Sequence, residues 1–221
     1  KRHLEQALAD FPHADDVTVT YRSYQLSPDT PKKATGTLTE MLSAKYGVSL
    51  AEAQAMNDRV TGVAAEAGLE YHLDRAHPAN TVDAHRLLHF AAAQGKQAEL
   101  KERLLAAYFT EGKRIGDADV LVAEAEAVGL DGDAARAVLA GDDYADEVNA
   151  DFSLARAFGI TGVPFFVIDR KYGLSGAQPA STLRQALEEA WMDAHPLVSL
   201  DSTPAGDADD AGSCADGVCR V

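Results

Sequence analysis

Apolar residues recur through most of this chain at steps of three, four and seven, the spacing that gathers them on one face of an α-helix. Residues 1–10 follow it briefly, with Leu4, Ala7 and Leu8 in register, until Pro12 and the Asp15–Asp16 pair impose a turn. Val17–Leu26 breaks the pattern. Val17, Val19 and Tyr21 alternate with Thr18, Thr20 and Arg22, a period of two in β-branched and aromatic residues that predicts a strand. Pro28, Pro31 and Gly36 then mark a loop over 27–36.

From Thr37 to Gly159 the helical spacing returns and dominates. Thr37 with Glu40, and Ser49 with Glu52, both have the form of a capping box, in which two side chains satisfy orphan backbone donors reciprocally. Ala53, Val60, Val63, Ala64 and Ala67 form the apolar face after the second box, and Gly68 ends it. Asn80–Thr81 opens a helix with Ala84, Leu87, Leu88 and Ala91 on one side, and Leu100, Leu104, Leu105 and Tyr108 repeat the pattern in the next. Segments around 117–128, 131–140 and 142–158 complete one helical bundle, with no internal repeat. The Asp142–Asp143 pair suits a helix start before it suits an acid–base dyad.

The character changes at Gly159-Ile-Thr-Gly-Val163. Pro164–Ile168 is a fully apolar run suited to a buried strand, Asp169–Gly173 a tight connection, and Leu174–Ser175 a second extended piece. Pro179 fits a first helical turn, and Leu183, Leu187, Ala190 and Trp191 mark a final amphipathic helix. Two strand regions split by a long helical block predict an α/β domain carrying a helical insertion.

Composition narrows the function classes. Hydrophobic residues make up 46% of the 221 and charged ones 25%, which is the globular range. With 35 acidic against 20 basic side chains and a net charge of -15, the surface would repel nucleic acid and an anionic membrane alike. No apolar stretch approaches the ~18 residues of a membrane span, and no basic-then-apolar leader opens the chain, which points to the cytoplasm. The chain begins at Lys1, without Met, already inside a helical pattern. After Pro196 it becomes small and acidic, with five Asp in residues 201–216, a composition expected to be disordered in isolation.

Four groups of residues are candidates for chemistry. Pro164 gives up a ladder hydrogen bond and so belongs at a strand start or edge; a Gly-Val-Pro turn suits a cis bond and an ordinary strand-initiating proline equally. Cys214 and Cys219 are the two cysteines of the chain, too few for a disulfide framework. Their spacing around Asp-Gly fits an exchangeable disulfide, two free tail thiols, or an opportunistic metal-ligand pair; Asp216 beside them would raise the thiol pKa. His85 and His89 share a helix face at metal-compatible spacing, but without a following Glu a hydrogen-bonded pair is the stronger expectation, and no metal is assigned. Ser175, Gly176 and Gln178 precede a helix N-terminus, where they serve as capping residues or as an anion site.

The run Gly159-Ile-Thr-Gly-Val-Pro-Phe-Phe-Val-Ile-Asp-Arg-Lys-Tyr-Gly-Leu-Ser-Gly-Ala-Gln178 resembles the signature of the DsbA-like thioredoxin-fold proteins, in the FrnE-like branch. Asn80–His89 and Ala107-Tyr-Phe-Thr-Glu-Gly112 are similar to that branch's helical insert, so the resemblance spans residues 1–195. It implies a thioredoxin-like α/β fold with a large all-helical insertion: residues 1–36 and 160–195 form the thioredoxin-like domain, 37–159 the insertion, and 196–221 an acidic tail. It also implies a thiol–disulfide oxidoreductase or isomerase, with Val163 and a cis Pro164 lining the site. The family's Cys-x-x-Cys precedes the segment matching Lys1–Leu4, and no such motif occurs in this chain. The first strand and the nucleophile are therefore expected upstream of Lys1, with Cys214 and Cys219 as an accessory redox pair.

The implied substrates are disulfide- or thiol-bearing proteins or small molecules, and no cofactor is required. The alternatives are a glutathione-dependent isomerase or transferase like the 2-hydroxychromene-2-carboxylate isomerases, with glutathione as co-substrate held near Ser175, Gly176 and Gln178, and a non-catalytic binding or chaperone-like module. Oligomeric state is not readable from the sequence.

Overall fold

The computed structural model describes residues 1–32 and 34–197. Nine helices and one hairpin run along these residues: α1 Arg2–Ala9, α2 Leu38–Tyr46, α3 Leu50–Glu66, α4 Val82–Ala92, α5 Gln97–Phe109, α6 Ala118–Ala127, α7 Gly132–Ala140, α8 Ala145–Ala157, β1 Phe165–Ile168, β2 Tyr172–Ser175 and α9 Ala180–Ala194. No described helix is long and apolar enough to cross a membrane.

Both expected capping boxes form. Thr37 and Ser49 each accept from the backbone N–H three residues on, while Glu40 and Glu52 return to the Thr37 and Ser49 N–H at 2.8 Å. At α4 the cap belongs to Asn80 rather than Thr81: the Asn80 Oδ1 accepts from Val82 N–H at 3.1 Å.

The main core is built around α4, which packs against α5, α6, α7 and α8. Ala84, Leu87, Leu88 and Ala91 of α4 meet Leu100 and Leu104 of α5 and Leu121, Val122 and Ala125 of α6. Leu87, Leu100 and Leu121 are fully buried, each worth about 1.5–3 kcal/mol relative to exposure. Arg86 is buried too, and it is spent on backbone. It donates to the carbonyls of Val138, Gly141 and Asp143 and to Asp83, closing the C-terminal end of α7 whose carbonyls lack helical partners.

A smaller core joins α1 to α9 through buried Ala7, Phe11, Leu183, Leu187 and Ala190. At its end Trp191 is sandwiched between His13 and His195, both rings at 3.8 Å, with Phe11 edge-on at 6.4 Å. β1 and β2 pair antiparallel in the register Phe165↔Ser175 to Ile168↔Tyr172, so the second strand begins two residues before the sequence pattern suggests. Asp169 and Arg170 carry the turn in the left-handed region, and Lys171 N–H donates to Ile168 O.

Three expectations are corrected. Val17–Leu26 is extended but pairs with no strand among the described residues; a short 3-10 turn at Ala14–Asp16 precedes it, and helix side chains bond part of its backbone. Gln97 of α5 pairs with both backbone groups of Tyr21, accepting from its N–H at 3.2 Å and donating to its carbonyl at 3.1 Å. β1 is not buried: Val167 is 40% exposed, because β2 is its sole described strand partner and α9 is the helix packed against it. On α3, Ala53 and Ala64 are buried, but Val60 and Val63 are 49% and 62% exposed. The periodicity there is broader than the face that α2 and the 67–76 segment cover.

Candidate active site

The Gly159–Gln178 run folds into one loop system. Gly159 adopts φ +66 at the end of α8, and Ile160 N–H returns to Ala155 O at 2.9 Å, so the chain leaves the helix sharply. Val163 follows at 46% exposure, joined to Pro164 by a cis peptide bond. Pro164 stands exposed immediately before β1, and its carbonyl accepts from Gly176 N–H at 2.9 Å.

Gly176 is one position where glycine is needed, with φ +84 in a turn that places Gln178 beside it. The Gln178 side chain donates to Ser175 O at 2.7 Å, so its amide closes the turn. Its carbonyl accepts from His3 Nδ1 at 2.8 Å, which fixes the proton on that ring nitrogen. His3 lies in the first turn of α1. Through His3, Gln178 and Gly176, the start of α1 and the Val163–Pro164 bond are fixed in one place, although 175 residues separate His3 from Gln178.

The same end of α1 faces the helical block. Lys1 bonds Glu102 of α5 at 2.7 Å and also Glu5, while Arg2 bonds Glu5 at 2.7 Å and also Glu102. Hydrogen bonds from Lys1 and then Arg2 hold both carboxylates below their usual range. Lys101, next along α5, has no carboxylate partner among the described residues; its ammonium lies 5.0 Å from the centre of the Tyr21 ring, and burial pushes its pKa down. His85 is held at about 4 by burial and then by the charge of Lys101, against a bond to the Tyr24 backbone.

Of the histidine pair, His89 is hydrogen-bonded. His89 Nε2 is 3.1 Å from Asp151 Oδ2 and 3.2 Å from Ser23 Oγ, and Asp151 also accepts from Ser23 N–H at 2.7 Å. No group of three or more metal-capable side chains comes together among the described residues. Cys214 and Cys219 lie outside those residues. Sequence reasoning did not single out His3, Tyr21, Lys101 or Glu102. Their partners are remote in sequence, and no local pattern signals them.

The crystal structure of a probable DsbA oxidoreductase from Streptomyces coelicolor superposes with a TM-score of 0.84 at 42% identity, over 98% of this chain and 92% of that one. An uncharacterized protein of Bacillus subtilis (strain 168), YwbO, is 39% identical over 83 residues, 36% of this chain and 40% of the Bacillus protein's length. A family model for the DSBA-like thioredoxin domain matches residues 1–188. The chain's hairpin and the helices around it form a mixed α/β fold of thioredoxin type, and the chain is a member of the DsbA-like thioredoxin domain family.

Proposed function

We propose that this chain carries out thiol–disulfide exchange as a FrnE-like member of its family. The observation that supports this most is the convergence of the first turn of α1 with the exposed Val163–Pro164 bond, through His3, Gln178 and Gly176. The start of a helix presents unpaired N–H groups and the positive end of its dipole, which favours a thiolate. The nucleophilic cysteine pair is assigned upstream of Lys1, ahead of that turn.

In the exchange, a thiolate attacks one sulfur of a substrate disulfide. The substrate S–S bond breaks, the departing sulfur takes up a proton, and a mixed disulfide forms. The second cysteine then attacks the enzyme sulfur of that bond, releasing reduced substrate and leaving the enzyme disulfide. Val163 and Pro164 offer an exposed apolar side chain and backbone beside the reacting sulfurs. Cys214 and Cys219 would serve as an accessory pair for re-reducing or reoxidising the site.

Insulin reduction by the full-length protein in dithiothreitol tests this. Turbidity should appear faster than with dithiothreitol alone and be lost when the upstream cysteine pair is changed to Ser. Activity that survives that change, or that requires glutathione, would overturn the assignment.

A further inference from the structure

We propose that Lys101, which lies against Tyr21 where α5 meets the start of α1, is an anion-recognising residue that selects substrates carrying a carboxylate near the reacting sulfur. The proposal rests on the thiol–disulfide reading of the site and names the substrate class it takes.

Three cations gather where α1 starts, Lys1, Arg2 and Lys101, but two carboxylates, Glu5 and Glu102, and both of these are bonded by Lys1 and Arg2 together. Among the described residues, Lys101 is the side-chain cation left over. It is half-buried, and its ammonium lies against the Tyr21 ring at 5.0 Å. A ring face offsets part of the desolvation of an ammonium, about 0.5–2 kcal/mol, whereas an anion offsets more.

The arrangement is held in register from both sides. Gln97, one turn before Lys101 on α5, clamps the backbone of Tyr21 through two hydrogen bonds. The nearby titratable groups do not supply the missing anion. His85 is neutral at pH 7, and Asp151 is occupied by Ser23, Arg22 and His89. The chain as a whole carries -15, so a surplus cation at the start of α1 is a local exception to its own field.

The test is calorimetric titration of the 221-residue chain with S-methylglutathione, which has two carboxylates and no exchangeable sulfur, and with its diethyl ester. The acid should bind more tightly than the ester, and added salt should weaken only the acid. Lys101→Met should weaken the acid about tenfold and leave the ester unchanged, as loss of a charged hydrogen bond requires. Lys101→Arg should retain most of the preference. Circular dichroism melts of both variants establish that they fold.

Equal affinity for acid and ester, no binding of the acid, or a Lys101→Met chain that binds the acid as tightly as wild type would each overturn the proposal. The thioether probe needs no cysteine. Failed insulin reduction with the acid preference intact therefore counts against the redox assignment alone. Insulin reduction without that preference counts against Lys101 alone.

Discussion

Asp151→Ala tests how far this carboxylate holds the 17–26 segment against the helices. The Asp151 side chain is 2% exposed, and it accepts from Ser23 N–H at 2.7 Å, from His89 at 3.1 Å and from Arg22 at 3.2 Å. Removing it orphans the N–H of buried Ser23, at about 1–3 kcal/mol, and ends a charge-assisted bond to His89 worth about 1.5–3 kcal/mol. Arg22 is 60% exposed, so its share is small in water. The sum is about 2.5–6 kcal/mol, centred on the range of about 3–5 kcal/mol for breaking one partner out of a buried pair, which sets the expected loss. Asp151→Asn keeps an acceptor and should cost about 1–2 kcal/mol. With an m-value of about 2 kcal/mol/M, the urea midpoint of Asp151→Ala should fall by about 1.5–2.5 M, read by far-ultraviolet circular dichroism. Hydrogen exchange should show the Ser23 amide losing protection. A loss below about 1 kcal/mol, or a Ser23 amide as slow as in wild type, would refute the claim that this carboxylate anchors the segment.

Three further outcomes follow from the geometry. Trp191→Ala removes the ring sandwiched by His13 and His195 and should cost about 3 kcal/mol, lowering the melting temperature by about 6–12 °C, while Trp191→Phe should lose about half of that. His85, held at about 4 against 6.5 when unfolded, binds its proton in the unfolded chain first, so its contribution is complete above pH 6.5 and lost as pH falls toward 4. His85→Gln should therefore flatten the urea midpoint between pH 7 and pH 4.5, removing up to about 3 kcal/mol of pH dependence; an unchanged slope would count against it. Gly112 has φ +67, and an added Cβ would lie 2.6 Å from the Arg75 Cβ, whereas Gly129 has φ +84 and open space. Gly112→Ala should cost at least about 1 kcal/mol more than Gly129→Ala in the same denaturation assay.

The helices were legible because their signals are local. A capping box lies within four residues, and the α4 face of Ala84, Leu87, Leu88 and Ala91 within two turns. Val17–Leu26 shows where such reasoning stops. Alternating β-branched residues report a pleated, half-covered backbone, but not whether its partner is another strand or the side chains of Gln97 and Asp151. Val60 and Val63 fit the helical period as well as Ala53 and Ala64 do, and only the packing of α2 decides which are covered. At the site, the Pro164 run was visible as a contiguous motif. His3 and Gln178, or Lys101 and Tyr21, meet across long stretches of chain, and their pairing is a product of the fold rather than of spacing.

The two hydrogen bonds from Gln97 to Tyr21 bear on modularity. A long run of helices between an extended segment and a hairpin would suggest a cassette that could be excised, leaving the rest of the fold to close behind it. Here the bonding runs the other way: α5 and α8 supply the donors and acceptors that finish part of the backbone of the segment preceding them, and His89 of α4 bonds the Ser23 hydroxyl. A graft that replaced 37–159 would have to bring a Gln97 and an Asp151 at the same positions in space. The helical block is therefore constrained by the segment it follows, and the two must change together.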